Sequence, residues 1–550
     1  MINSSVVMKK VAEPVNPYNF SLVKGILFLL LFCLILNVPF MNLREFQGEE
    51  GRRVMIAVNM LESGNYIIPS VEGAVYLQKP PLFNWLLAGM FRLTHSISEA
   101  SARFVSIIAA FLSALILCLF WRRISGVKDV WFILPGIMFL TFTDVMDKSI
   151  RAEIDMTFTF FVTFSIVSWY YLYEFRKNPF LAWVVSLFLV GISALTKGVQ
   201  APAFFYCGVI PYLVYKKEFR RNLSLSHFIG ILVALGVFSL WLIPLLREVS
   251  FTAFINAWTK EILARGEPLK EGGFFRHFVE FPFQYMIAYM PWLPFVLLWF
   301  KDSCKKESDG MKGLAMYCLF FLLFSIPFYW LLPGARLRYI MPVSGALAIL
   351  LAIPVSAELT ESHKGTAFLR GYTKVLSLIM IFTFASSPFW GKKFGVFEKP
   401  MPIILLCAAL FVSLLLFFEK RDVRKKMALL IISALIMKIS WASVYFPYHA
   451  EHLSHYRNAA LQINALVPRD ASLYDYEVNN YHLTFYLGRP VKLIRSLDEI
   501  MNERGAVVMI EKDSLGRLDL KRFSFIGEVK ARRSLLQLYE VGKNHKGEAS

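Results

Sequence analysis

Long apolar runs recur along most of this 550-residue chain, and they constrain its fold more than any other feature. They fall at 22–41, 101–121, 129–145, 156–175, 180–196, 199–215, 227–247, 283–300, 313–332, 338–356, 373–389, 402–418 and 427–446, about thirteen in all. Roughly 17–25 apolar residues are what an α-helix needs to cross a hydrocarbon core. A membrane β-barrel would show short alternating segments instead. The composition agrees: 56% of the residues are hydrophobic and 18% charged, against about 45–50% and about 25% in soluble domains. The expectation is an α-helical polytopic membrane protein.

The net charge is +19. A nucleic-acid partner is not the expected reading, because most of the cations flank apolar runs, where membrane topology and anionic lipid account for them. Alternate loops such as W-R-R-I-S-G-V-K, Y-K-K-E-F-R-R and E-K-R-D-V-R-K-K are short and basic, as cytoplasmic loops are. That places the N-terminal tail (1–21) inside and, with an odd number of spans, the first loop (42–100) and the tail after residue 447 outside. Lys9 and Lys10 precede the first run without an A-x-A-like cleavage site, so it reads as an uncleaved span. The external loops are not poor in cations: they carry Arg52, Arg53, Lys79, Arg92, Arg151, Lys197, Arg265, Arg276, Arg336 and Arg338. Snorkelling at helix ends is one explanation; a basic pocket for phosphate is the other.

The first loop concentrates charge of both signs. Val54, Met55, Val58 and Leu61 recur at helical spacing, which predicts a short helix over Glu49–Glu62 stopped by Gly64. Glu49 and Glu50 then lie in its first turn. A second short helix is expected from Pro80-Pro81, because proline is tolerated in a first turn. Lys79 would stand directly before it, and a cation beside a helix N-terminus makes an anion site. Further on, Asp144, Asp147, Lys148, Arg151, Glu153 and Asp155 crowd another external boundary, and Arg247–Phe281 reads as a loop lying on the membrane. Residues 448–541 lose the long apolar runs. Their helix-like (His452–Leu466) and strand-like (Ala506–Ile510, Leu535–Tyr539) stretches predict a small external α/β domain, followed by a polar tail at 542–550. The six cysteines, Cys33, Cys118, Cys207, Cys304, Cys318 and Cys407, have no metal-ligand spacing. No Walker A motif is present.

The motifs together resemble a known family. E-E-G-R-R-V-M-I-A-V-N-M-L-E-S-G-N-Y followed by Y-L-Q-K-P-P-L-F-N-W-L is similar to the first external loop of bacterial GT-C glycosyltransferases. The nearest group is the aminoarabinose transferases of lipid A and their relatives in the protein O-mannosyltransferase superfamily. S-A-R-F-V-S (101–106), R-A-E-I-D-M (151–156), L-T-K-G (195–198), A-R-L-R-Y-I-M-P (335–342) and F-Y-L-G-R-P (485–490) match in the same order. The resemblance implies a GT-C transmembrane domain over 22–447 and a periplasmic domain over 448–541. It implies a polyprenyl-phosphate-linked sugar as donor, used without a nucleotide on the periplasmic face of the bacterial inner membrane. By position, Glu49 and Glu50 match the family's acidic pair, Arg52 a following arginine, Lys79 a lysine on the donor phosphate, Tyr76 a tyrosine beside it, and Asp155 an aspartate at an external helix end. The chain departs at Glu49, where aspartate is usual, and at Gln78, where the aminoarabinose transferases carry an acid.

Transfer from a polyprenyl phosphate requires stabilisation of the leaving phosphate. Lys79 and Arg52, with Arg265, Arg276, Arg336 and Arg338 as further candidates, would supply it electrostatically. No metal or other cofactor is expected. Glu49 is the candidate general base for a hydroxyl acceptor; an acceptor phosphate, already ionised, would need only orientation. Lipid A, another glycolipid and a protein all remain open as acceptors. The alternative from a different class is a transporter or flippase for a lipid-linked sugar, which would place charge deep in the spans.

Overall fold

The computed structural model describes residues 21–542, apart from 267–272, 301–307, 362–366 and positions 421, 454, 477, 479 and 533. Cys304, and the expected terminal tails except Ser21 and Gly542, lie outside the described residues. Among the described residues, eight of the expected runs form helices long and apolar enough to cross a bilayer: Glu99–Ser125, Pro179–Lys197, Leu225–Glu248, Asp309–Trp330, Leu337–Thr360, Ala367–Ala385, Pro400–Phe418 and the helix beginning at Val423. Other runs are shorter or broken. The first gives α1 (Leu22–Asn37). The run at 129–145 divides at Phe142, whose extended backbone separates Leu134–Thr141 from Thr143–Lys148. The run at 283–300 bends by 87° between Gly273–Ala288 and Leu293–Phe300, at a break containing Pro291, which has no N–H to continue the helical ladder. Eight helices, or nine with the bent pair taken as one span, thus meet that length and apolarity among the described residues, against the thirteen runs expected. Apolar composition sets where chain is buried, and it does not register such internal breaks.

The helix Leu337–Thr360 is the most enclosed, with 94% of its apolar window buried; Leu225–Glu248 lies at the opposite extreme with 17%. The main core gathers around the former, with Phe139, Phe158, Trp169, Phe205, Phe321 and Leu351 almost fully buried.

The first loop folds as its periodicity predicts. α2 (Glu50–Ser63) begins one residue later than expected and ends at Gly64, and α3 (Leu82–Thr94) follows Pro81. Between them β1 (Ser70–Val71) and β2 (Ala74–Val75) form a small antiparallel hairpin. α4 (Glu99–Ser125) then enters the bundle behind a reciprocal Ser98–Ser101 capping box.

After the bundle, the chain builds an α/β unit. Helices His455–Leu466 and Tyr481–Leu487 accompany five strands: β3 (Leu473–Tyr476), β4 (Val491–Ile494), β5 (Val507–Glu511), β6 (Phe523–Ala531) and β7 (Ser534–Val541). The sheet order is β4-β3-β5-β7-β6. β3 runs parallel to β4 and β5, while β7 is antiparallel to β5 and β6. Both helices pack on one sheet face, through Ile463 and Leu483 against Leu473, Val507 and Leu538.

This unit sits directly on the first loop. The Leu493 N–H donates to the Glu72 carbonyl at 3.1 Å, and the Thr484 hydroxyl donates to the Glu72 carboxylate at 2.6 Å. The Phe46 N–H reaches the Tyr486 hydroxyl oxygen at 2.8 Å, and the Tyr456 N–H reaches the Glu45 carboxylate at 3.0 Å. Loop and α/β unit thus share one face of the bundle.

Candidate active site

Two adjacent glutamates start α2, and the fold gives them different tasks. Glu50 is fully buried. Its carboxylate receives Arg103 Nε at 2.9 Å and Nη2 at 3.2 Å, the Ala152 N–H at 3.0 Å and the Gln47 N–H at 2.9 Å. Burial pushes its carboxyl up, but Arg103, Arg44 and these donors more than reverse that, to about 2. Glu50 therefore fastens the loop to α4 and to the segment before Ile154, and it does not line a cavity. This differs from its expected place beside Glu49 in the reaction. The i, i+1 spacing points the two side chains in different directions on a helix, so an acidic pair in sequence is not a pair in space.

Glu49 faces the other way, into a cavity of about 120 Å³. Its carboxylate meets Arg52 at 3.2 Å and Arg53 at 3.5 Å. Burial raises its carboxyl, and Arg53, Arg52, Arg338 and Arg336 together bring it below the usual carboxylate range. Its backbone N–H donates to Glu153 at 3.2 Å. Gly48 allows that contact: its φ is +64°, and a Cβ there would stand 2.6 Å from the Glu153 carboxylate.

The rest of the cavity wall comes from distant parts of the chain. Tyr76, Gln78 and Lys79 follow the β1–β2 hairpin, Ile154 and Asp155 start a helix, and Lys197 and Gln200 flank a helix junction. Arg336 stands directly before the central helix Leu337–Thr360, and Arg338 and Tyr339 lie in its first, 3-10 turns. Asp155 pairs with Lys197 at 2.5 Å, and Arg338 pairs with Glu153 at 3.1 Å and Asp155 at 4.0 Å. Cations (Arg52, Arg53, Lys79, Lys197, Arg336, Arg338) outnumber carboxylates (Glu49, Glu153, Asp155) two to one among the lining residues. A partly enclosed site with that balance attracts an anion, and its fixed charges need little reorganisation to hold one.

Glu49, Arg52, Tyr76, Lys79, Asp155, Arg336 and Arg338 are thus brought together as expected from the sequence. Arg276 is not among them: it is exposed and pairs with Glu280 one helical turn away at 2.7 Å. Arg265 belongs to the helix Phe251–Gly266, and its side chain lies outside the described residues. Arg53, Glu153, Lys197, Gln200 and Tyr339 also line the cavity without having been singled out as site residues. Each lies inside or beside a motif quoted above, in E-E-G-R-R, R-A-E-I-D-M, L-T-K-G or A-R-L-R-Y-I-M-P, so the motifs carried a signal that reading them residue by residue missed.

Comparison with known proteins places this arrangement. Residues 78–243 match the model of a family described as dolichyl-phosphate-mannose-protein mannosyltransferase. An uncharacterized protein of Aquifex aeolicus is 26% identical over 88% of this chain and 91% of its own length. The undecaprenyl phosphate-alpha-4-amino-4-deoxy-L-arabinose arabinosyl transferase 2 of Proteus mirabilis is 26% identical over 60% of this chain and 59% of its own. Among solved structures, ArnT from Cupriavidus metallidurans bound to undecaprenyl phosphate superposes with a TM-score of 0.72 at 15% identity, covering 94% of this chain and 98% of that one. The chain shares the fold of ArnT and is similar in sequence to the aminoarabinose transferases.

An apolar groove of about 400 Å³ adjoins the cationic cavity. Lys197 and Gln200 line the cavity, while Gly198 and Val199, between them in sequence, line the groove. Trp258 closes part of the groove and donates its indole N–H to the Leu77 carbonyl at 2.9 Å, two residues from Lys79. A charged chamber therefore opens beside a channel of aliphatic and aromatic side chains.

Proposed function

We propose that this enzyme transfers a sugar from a polyprenyl phosphate, of undecaprenyl type, to an acceptor at the periplasmic face of a bacterial inner membrane. The observation that carries this reading is the junction of the cationic cavity with the apolar groove at Lys197–Gln200. A phosphate on a long isoprenoid needs those two environments side by side. In this orientation the N-terminus is cytoplasmic and the α/β unit periplasmic. The relatives named for undecaprenyl-phosphate-linked aminoarabinose support the donor class.

In the proposed reaction the bond between the anomeric carbon and the phosphate oxygen breaks. The polyprenyl phosphate leaves with the electron pair, and an acceptor oxygen forms the new bond to the anomeric carbon. Lys79, Arg52, Arg336 and Arg338 hold the leaving phosphate, and Tyr76 and Tyr339 shape its surroundings. The Asp155–Lys197 pair fixes the lysine at the mouth of the groove. Glu49, held ionised by its arginines, is a weak base, so it orients the acceptor. That favours an acceptor already ionised, such as a phosphate on lipid A or another glycolipid, over a protein hydroxyl. In the proposed chemistry the cavity's own cations supply the charge that stabilises the leaving phosphate.

The test is transfer of radiolabelled sugar from synthetic undecaprenyl-phosphate donors by the purified protein in lipid nanodiscs. Lys79→Ala should reduce transfer by about a hundredfold or more, the scale for loss of one preorganised charge-stabilising group. Normal turnover by a folded Lys79→Ala protein would refute the assignment of the cavity.

A further inference from the structure

Arg52 is a cavity cation held between two aromatic rings. Its guanidinium carbon lies 5.8 Å from the Tyr76 ring centre on one contact and 5.1 Å from the Tyr481 ring centre on the other. Its Nη1 reaches Glu49, while its Nε is buried without a hydrogen-bond partner among the described residues. Tyr76 belongs to the loop. Tyr481 belongs to the α/β unit, at the first position of the helix Tyr481–Leu487, and it packs into the loop's own apolar cluster beside Ile56 and Met60.

We infer that Tyr481 is a positioning residue for the donor site, and that the α/β unit thereby completes it. Tyr481 does not line the cavity. It acts through Arg52: a contact with an aromatic face uses none of the guanidinium's N–H groups, so the Nη hydrogens not turned to Glu49 stay available to a phosphate. The neighbouring residue fixes the ring in place, because the His482 backbone packs against Gly51 at a distance no side chain at 51 would permit. Helix α2 thus receives its arginine's outer wall from a segment that folds separately in sequence. The inference rests on the reading of the cavity as a phosphate site.

The experiment is a titration of the full-length protein in nanodiscs with undecaprenyl phosphate, together with donor KM and kcat, for Tyr481→Leu, Tyr481→Phe, Lys79→Ala, Arg52→Gln and the Arg52→Gln/Tyr481→Leu double variant. Tyr481→Leu keeps apolar bulk without a π face and should weaken lipid-phosphate binding by about tenfold, the scale of a partly desolvated cation–π contact. Tyr481→Phe should stay near wild type. In the Arg52→Gln background Tyr481→Leu should add nothing, which a general packing role would not produce. Equal weakening by Leu and Phe, or an undiminished Leu effect without Arg52, overturns the inference. If Lys79→Ala weakens binding and Tyr481→Leu does not, the inference about Tyr481 fails alone. If Lys79→Ala leaves binding intact, the phosphate-site reading itself fails and takes the inference with it.

Discussion

Gly51 lies directly beneath the backbone of His482: a Cβ built on Gly51 would stand 2.9 Å from the His482 nitrogen and 3.0 Å from its Cα. A flexible side-chain tip can move aside from such a contact, but here the obstacle is main chain, at the start of a helix. The E-E-G-R-R motif therefore carries a glycine for docking, placed between the glutamate that anchors the loop and the arginines that face the cavity.

Gly51→Ala should separate the α/β unit from the loop without unfolding either. Overpacking of this kind costs roughly 1–3 kcal/mol. Hydrogen exchange should show loss of protection at 481–493 and at the β1–β2 hairpin, with the bundle unchanged. Donor KM should rise as well, since the undocked unit withdraws Tyr481 from Arg52. Unchanged exchange at both segments would mean that the contact relaxes locally.

Glu50→Gln should behave as a folding variant. It leaves Arg103 and Arg44 buried without their counter-charge, and breaking a buried ion pair costs about 3–5 kcal/mol. The expected result is a large fall in thermal midpoint and in yield from membranes. Any protein that survives should keep near-normal donor KM, because Glu50 does not line the cavity. A stable Glu50→Gln protein with normal KM and kcat reduced a thousandfold would instead place Glu50 in the chemistry.

These contrasts show what the sequence disclosed. The helices α2 and α3 were legible from periodicity, Gly64 and Pro81, and so were the apolar runs and the strands β5 and β7. Glu49, Lys79, Asp155 and Arg338 could be gathered from motifs because each stands at a helix end or junction, where polar groups cluster for reasons visible locally. Glu50 and Arg276 misled for opposite reasons. Whether Glu50 faces a cavity or Arg103 depends on a partner some fifty positions away, and Arg276 finds a local partner in Glu280 that satisfies it before any ligand arrives. Tyr481 was invisible because its role exists only after the α/β unit docks.

The docking contact at Glu72 should respond to pH. Burial lifts its carboxyl to about 7, the Thr484 hydroxyl opposing and Asp475 adding to the rise. When the unit is undocked, the carboxyl reverts to roughly 4.3. The docked state therefore binds the extra proton between those values. Docking is fully favoured below about pH 4, weakens as pH rises toward about 7, and is constant above that, with a total span of about 4 kcal/mol at most. Exchange protection at 484–493 should decline from pH 5 to pH 8 in the native protein, and Glu72→Gln should flatten the profile. A profile equally steep in Glu72→Gln would assign the titration elsewhere.

Arg276 and Arg338 provide a matched comparison of two arginines that the sequence groups together as phosphate ligands. Arg338 pairs with Glu153 and lies near Asp155 inside the cavity; Arg276 is exposed on the membrane-flanking helix Gly273–Ala288. Arg338→Ala should lower kcat/KM for the donor by roughly a hundredfold, on the scale of a lost charge-stabilising group. Arg276→Ala should leave it within about twofold, because an exposed i, i+4 pair contributes only a few tenths of a kcal/mol. Loss of activity in Arg276→Ala would show that its helix swings over the cavity during turnover.

Glu49→Gln separates orientation from proton abstraction. Arg52 and Arg53 keep the Glu49 carboxylate ionised across the neutral range, so a group acting as base there would already be deprotonated at pH 6 and would abstract weakly. If Glu49 orients the acceptor, Glu49→Gln should lower kcat by about ten- to a hundredfold through misplacement, and the pH–rate profile should keep its shape. The substitution also releases Arg52 from its carboxylate partner, so donor KM should shift modestly in the same variant. If Glu49 is the base, wild type should show an acid limb set by its lowered pKa, and Glu49→Gln should abolish that limb along with nearly all turnover. Measuring kcat from pH 3 to 8.5 for both proteins decides between these outcomes, since only proton abstraction ties the limb to this one carboxylate.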